Sequence, residues 1–337
     1  MDNESGYGSI FLAPFQHFVD PSHRMSILYL ASSLVVALGV YLVMKARKGE
    51  ADTVPILRWL FPADVLGHRS TRADVFFYFI NKVLLAAIYG SILVTAPLAS
   101  SAMTSGLEVV FGPAGEGFQP HFGFSVLTTV AIVLVLDFAL WFLHYVFHKV
   151  PVLWDYHKVH HSAEVMTPIT AARMHPVEEV LDSLVAGVVV GSAYAVMKYV
   201  LGPATDVITL FDINIILAIF YFSAFHLRHS HVWLRFPYWL QHILVCPAQH
   251  QIHHSVDRKH WDKNMGFIFA FWDWAAGTLY APKGKEEITY GLGTEEDGGK
   301  WHSVRALYLL PFQQTIQRLR SRKAPDPDAN TTQEPAE

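Results

Sequence analysis

Three tight groups of histidine stand in one stretch of the chain: His144-Tyr-Val-Phe-His148, His157-Lys-Val-His160-His161 and His250-Gln-Ile-His253-His254. On a helix, residues three or four apart project from one face, so each group can aim several imidazoles at a point between packed helices. Eight imidazoles exceed what one ion takes. An all-nitrogen set suits iron, copper, zinc or nickel, and eight or more nitrogens saturate two ions while leaving room for an exogenous ligand. Chance composition does not give this pattern: of 19 histidines, 14 fall between His144 and His260, and the i, i+3, i+4 spacing occurs twice.

Neighbouring residues extend the set. Asp137, His144 and His148 lie within a sector of roughly 40° around a helix axis, so Asp137 points along the histidine stripe. A carboxylate in an otherwise apolar span must face a polar interior, and the expected role is to accept a hydrogen bond from a ligand imidazole and fix its tautomer. His175, in Arg173-Met174-His175-Pro176, could complete the shell or pair with Glu178. Of His226, His229 and His231, the first two are candidate ligands, with His229 preferred. His242 and His260 read as ordinary polar residues, and Cys246, the single cysteine, as a packing residue.

The elements that must position these groups are apolar. The 337 residues are 52% hydrophobic and only 16% charged, against roughly 25% charged in soluble domains, and mean hydropathy is +0.27. A bilayer crossing needs about 20 apolar residues. Five segments qualify: Met25–Met44, Val83–Met103, Phe122–Leu143, Leu181–Leu201 and Asp206–Phe225, the last two joined by Gly202-Pro203-Ala204-Thr205. Phe267–Ala276 is too short and reads as interfacial. The expected fold is therefore an all-α, polytopic membrane bundle of four or five transmembrane helices with a cytoplasmic, histidine-rich catalytic cap.

Basic residues set the orientation. Lys45, Arg47, Lys48, Arg58, Arg69, Arg72 and Lys82 lie between the first two expected spans, whereas Ser105–His121 has no Lys or Arg. That connection is expected in the cytoplasm, and threading five spans from it puts all three histidine groups on the cytoplasmic side. We divide the chain into an N-terminal region with two spans (1–121), a catalytic region (122–282) and a C-terminal segment (283–337) with a disordered Pro-, Asp- and Thr-rich tail from Ala324. Residues 1–24 have no basic n-region and do not read as a signal peptide. A net charge of −4 leaves no nucleic-acid footprint.

The order HxxxH, HxxHH and a distant HxxHH resembles the fatty acid hydroxylase and sterol desaturase superfamily. So do Asp262-Lys263-Asn264-Met265-Gly266, Trp272-Asp273 and Gly277-Thr278 after the last group, and Arg173-Met174-His175-Pro176 and His229-Ser230 between the groups. The resemblance covers about Phe124–Pro282. It implies that the eight grouped histidines and His229 hold two irons, that O2 is a co-substrate and that the substrate is a membrane lipid, a fatty acyl lipid or sterol-like molecule. Pterin-dependent members carry an acidic residue directly after the first group. Lys149 stands there in this chain, so an external electron-transfer protein is expected as partner.

The chemistry points the same way. Removing hydrogen from an unactivated C–H bond requires a metal with accessible redox states, which suits hydroxylation or desaturation, and Phe220, Tyr221, Phe222, Phe225, Phe267, Phe269 and Phe271 could wall an acyl or sterol channel. Two other readings compete. A zinc-dependent membrane hydrolase would activate water, but the groups lack the carboxylate of an HExxH helix. A non-catalytic metal-binding or transport protein would place its ligands near the bilayer midplane on broken helices.

Overall fold

A computed structural model describes residues 4–48, 54–93, 95–115, 117–118, 121–293 and 298–321. The expected disordered tail from Ala324 lies outside the described residues. The described helices, in chain order, are α1 (Glu4–Val19), α2 (Ile27–Lys48), α3 (Ile56–Leu60), α4 (Ala63–Leu66), α5 (Arg69–Leu93), α6 (Thr95–Phe111) and α7 (Phe122–Lys149). They continue with α8 (Pro151–His161), α9 (Pro176–Leu201), α10 (Ile215–Ser223), α11 (Pro247–His253), α12 (Phe271–Ala276) and α13 (Val304–Ser321).

Among the described residues, three helices are long and apolar enough to cross a membrane: Ile27–Arg47 within α2, Phe122–Lys149 and Pro176–Leu201. The other two expected spans take different forms. Val83–Met103 straddles the end of α5 and the start of α6; Pro97 sits in the first turn of α6, where its ring cannot continue a preceding helix. Asp206–Phe225 is not one helix. Thr209–Leu210 and Ile213–Asn214 form a small antiparallel hairpin whose turn holds Phe211 and Asp212 at positive φ. Asn214 then caps α10 by accepting from the Ile216 N–H. The nine residues of α10 rise about 1.5 Å each, too little to span hydrocarbon. The polar residues Asp206, Asp212 and Asn214 outweigh the apolar run around them.

Proline sets two joints that matter for the histidines. Val150 ends α7 and begins α8 in an extended conformation, because Pro151 disfavours the helical region at the residue before it. The chain therefore turns within one residue and places α8 beside α7. After a 3₁₀ turn (Pro168–Ala172), His175 caps α9 in the same extended conformation, with Pro176 at the first helical position.

Arg173 ties these joints together from inside. Its guanidinium, 1% exposed, donates to the Val159 carbonyl at 2.9 Å, Ser162 Oγ at 2.7 Å, the Trp301 carbonyl at 2.8 Å and Asp74 at 2.6 Å. It thereby connects the end of α8 to α5 and to the segment before α13. From α13, Arg318 and Thr315 hold Asp155 of α8. Between α5 and α9, Lys82 pairs with Glu179, which also accepts from Asn81 Nδ2 at 3.1 Å. Removing one partner of a buried, fully bonded pair strands the other charge. Asp74→Ala should thus cost about 3–5 kcal/mol, whereas Arg69→Ala, whose bonds to Glu164 are exposed, should cost under about 1 kcal/mol. Thermal inactivation in lipid nanodiscs checks the ranking; equal losses would contradict it.

Candidate metal centre

Four elements deliver nine imidazoles. From α7 come His144 and His148, from α8 His157, His160 and His161, and from a 3₁₀ turn (Phe225–His229) His229. The short α11 carries His250 and His253, with His254 at its C-cap. They gather into two sets whose ligand atoms all lie within 4.8 Å of one another: His144, His148, His157, His161 and His253 in one, His160, His229, His250 and His254 in the other. Helical spacing explains the split. On α8, His157 and His161 are one turn apart and serve the first set, while His160 points to the second. Stacked rings of His161 and His254, 4.5 Å apart, join the two sets.

The orientation of the rings tests whether a metal fits. His144 Nδ1 donates to the Met265 carbonyl at 2.8 Å, and His157 Nδ1 donates to Glu178 at 2.7 Å. A neutral imidazole with its proton on Nδ1 has only a lone pair on Nε2. Yet the Nε2 atoms of His144 and His157 face each other at 3.0 Å. Two lone pairs at that distance repel unless a cation lies among them. His253 repeats the pattern, its Nδ1 donating to the Lys263 carbonyl at 2.8 Å while its Nε2 is buried without a protein partner among the described residues. In the second set, His229 Nε2 approaches those of His160 and His250 at 3.3 and 3.0 Å, and His254 that of His250 at 3.2 Å. The donor set fits two first-row transition ions bound by nitrogen.

Burial keeps the ligands ready. It is the main cause holding His157, His161, His229, His250, His253 and His254 well below the usual histidine range, with neighbouring imidazoles adding to it, and it brings His160 down to about 3. Each is the neutral, ligating form at physiological pH.

Second contacts come from a loop that sequence reasoning undervalued. Asp273 accepts from the backbone N–H groups of Met265 and Gly266 at 3.0 and 2.8 Å and from Thr278 Oγ1 at 2.6 Å. Asn264 bridges the Gln249 and Tyr280 carbonyls, each at 3.0 Å. Asp262, Asn264 and Gly277 all adopt positive φ, which favours Asn, Asp and Gly. This folding presents the Lys263 and Met265 carbonyls to His253 and His144.

Three sequence candidates take other places. Asp137 touches no imidazole. It accepts from the N–H groups of Ile268 and Phe269 at 2.7 and 3.1 Å and from Trp272 Nε1 at 3.0 Å, so it anchors to α7 the loop that carries Met265. The expected hydrogen bond from a ligand imidazole is replaced by bonds from this loop. His175 caps α9, accepting from the Val177 N–H at 3.1 Å, and packs against Tyr156 and Phe312. His226 donates through Nε2 to the Arg24 carbonyl at 2.8 Å. Instead of pairing with His175, Glu178 orients the ligand His157. One signal was available: Pro176 starts a helix, and Glu178 then falls in its first turn facing back towards the preceding joint.

Two cavities meet the centre. One, of about 230 Å³, is lined by His144, His157, His160, His229 and His250 together with the apolar Leu136, Leu140, Tyr221, Phe225 and Phe267. The other, of about 250 Å³, lies against His148, His161 and His253 and is lined by Trp154, Trp261 and Asp262. Of the expected aromatic wall, Tyr221, Phe225 and Phe267 reach the first cavity.

Comparison with known proteins gives a consistent picture. Residues 129–278 match the family described as fatty acid hydroxylase. Relatives include alkylglycerol monooxygenase of Homo sapiens, 26% identical over 179 residues (50% of this chain, 34% of the relative). Those of Caenorhabditis elegans and Danio rerio are 26% and 27% identical over 176 and 159 residues, covering 51% and 47% of this chain and 31% of each relative. The chain thus spans about a third of the length of the curated relatives it matches. No solved structure matches it.

The neutral ligands carry a consequence for pH. An imidazole of ordinary pKa would be roughly three-quarters protonated at pH 6 and would release that proton on binding a metal. Here the lowered values mean that Fe(II) uptake at pH 6 should release well under one proton per site, read with a pH indicator in weak buffer. The same shift destabilises the metal-free fold as pH falls below about 6.5, because the unfolded chain then binds protons that the folded one refuses. Glu178→Ala should weaken iron affinity by about 10- to 100-fold, and His175→Phe should leave it unchanged in the same titration.

Proposed function

From the premise that residues 129–278 belong to the fatty acid hydroxylase family, we propose that this chain is a membrane oxidoreductase using O2 to hydroxylate or desaturate a lipid C–H bond. The observation that carries the reading is the first cavity, whose lining brings five of the nine clustered histidines together with hydrocarbon side chains. Two irons, one per histidine set, would supply the redox chemistry that activates O2. The relatives are named for monooxygenase action on alkylglycerols, which supports a lipid as substrate.

What the chain does around such a centre follows from its contacts. Leu136, Leu140, Phe225 and Phe267 offer an apolar surface for a hydrocarbon tail and keep bulk water from the reacting carbon. Glu178 and the Met265 and Lys263 carbonyls hold His157, His144 and His253 in the tautomer that turns Nε2 inward. Asp137 is a positioning residue, acting through the loop to which Met265 belongs. Electrons would come from an external donor protein.

For orientation, the basic residues at the end of α2 and in the segment after it, Lys45, Arg47, Lys48 and Arg58, support a cytoplasmic placement of that end by the positive-inside rule, and we take the centre of this multi-pass protein to lie on the same side.

Purified in phosphatidylcholine nanodiscs and loaded anaerobically, the chain should hold two irons, and it should consume O2 only with a lipid substrate and a reductant present. His161→Ala and His254→Ala should each lose iron and turnover together. Stoichiometric zinc with no O2 uptake would sink the oxygenase reading.

A further inference from the structure

The helix α13 keeps apolar residues on two opposite faces. Inward, Leu307 packs in a buried cluster with Phe77 of α5 and Val159 of α8, and Thr315 and Arg318 reach Asp155 of α8. Outward, Leu309, Phe312, Ile316 and Leu319 are 42%, 43%, 49% and 48% exposed. Their spacing of i, i+3, i+7 and i+10 confines them to a sector of about 80° around the axis, turned away from the buried Leu307 and Pro311. A helix facing water carries polar residues on its outer side. An exposed run of large apolar side chains marks a surface that something covers.

Place, composition and charge say what covers it. Phe312 packs edge-on against Tyr156 at 5.4 Å and against His175 at 5.3 Å, and His175 caps α9, one of the helices long and apolar enough to cross a membrane. The outer face of α13 thus lies beside the point where a spanning helix begins. With Arg305, Arg318, Arg320 and three glutamines among its 18 residues, α13 cannot itself enter hydrocarbon without stranding charge. Arg305 falls within the sector of the stripe and Arg320 beside it, both exposed, and the helix has no Asp or Glu. A second copy laid along the stripe would bring arginine against arginine with no carboxylate to answer it, and four side chains fall well short of the roughly 800 Å² per partner of a stable interface. Phosphate headgroups match the guanidinium forks, and the acyl boundary beneath them matches the stripe.

We propose that α13 lies in the plane of the membrane surface as an anchor for anionic phospholipid, with Leu309, Phe312, Ile316 and Leu319 in the acyl boundary and Arg305 and Arg320 on the headgroups. Through Arg318 and Asp155 the same helix holds α8, which carries His157, His160 and His161, against that surface. The anchor lies outside residues 129–278, so it belongs to a segment that the family match does not cover, and nothing in it depends on the oxidation reading.

The test uses the full-length, iron-loaded protein in phosphatidylcholine nanodiscs containing phosphatidylglycerol, with a single nitrobenzoxadiazole label. Cys246 is buried, and Cys246→Ala leaves Leu309→Cys, Ile316→Cys or Gln317→Cys as the one labelled site. Labels on Leu309→Cys and Ile316→Cys should be quenched several-fold more strongly by doxyl lipid than by iodide, and the label on Gln317→Cys the reverse. On Ile316→Cys, doxyl-phosphatidylglycerol should quench about fivefold more effectively than doxyl-phosphatidylcholine at equal content. Arg305→Gln combined with Arg320→Gln should bring that preference to parity, with iron content equal to the parent's as the check on folding, and high salt should weaken it. Stronger quenching by iodide at both stripe positions would put the stripe in water and overturn the proposal. Equal quenching by the two lipids would overturn the anionic-lipid assignment. Energy transfer between copies labelled on Ile316→Cys, with protection from both quenchers, would overturn it in favour of a second copy of the chain.

Discussion

Lone pairs aimed at one another are the constraint on which the rest of this structure depends. Nine imidazoles held neutral in the interior would not converge on two points for packing alone, since each buried polar nitrogen without a partner costs free energy. A protein tolerates that cost where a ligand removes it. The outer nitrogens decide which way each ring faces, and in the first set they are committed to the Met265 and Lys263 carbonyls and to Glu178. The scaffold's main task is to hold those three acceptors in place.

The rest of the fold can be seen as layers of support for them. Met265 is where it is because Asp273 and Asp137 accept the N–H groups on either side of the loop, and Asp137 in turn belongs to α7, which carries His144. The ligand and the acceptor that orients it are thus fixed to the same helix, one directly and one through a loop. Arg173 does the equivalent for α8, binding the Val159 carbonyl between His157 and His160 and tying it to Asp74 of α5. Such double fixing suits a centre whose geometry must not drift when a long, flexible substrate enters.

How much of this was legible in the sequence varied with the range of the interaction. The histidine groups were legible because spacing on a helix is local, and 144/148, 157/161 and 250/254 each turned out one turn apart on one face. His160 and His161 belong to different sets, which follows from their 100° separation once α8 is known to lie between the two sets. The roles of His175 and His226 were not legible, because each is decided by a contact that spacing does not show: His175 caps α9, and His226 is held by the Arg24 carbonyl from another part of the chain. Span counting failed at 206–225 for a related reason: hydropathy averages over the window, while Asp212 and Asn214 act at single positions to make a turn and start a helix. Carbonyl acceptors such as Met265 and Lys263 leave no residue-type signal at all.

The two histidine sets differ in a way that bears on how such a centre divides its work. In the first set, His144, His157 and His253 are held from outside by protein acceptors, and the set faces both the apolar cavity and the cavity lined by Trp154 and Trp261. In the second set, His229 is supplied by a 3₁₀ turn between apolar segments, and its neighbour Arg228 stacks over Phe220 at 4.7 Å while bonding the Phe267 carbonyl. Burial pushes the Arg228 guanidinium down to about 10, so a positive charge is retained within one residue of a ligand. A fixed cation there adds to the burial that keeps His229 and His250 neutral. The residues that set this field therefore lie outside the three histidine groups, and they act on the ligands before any substrate binds.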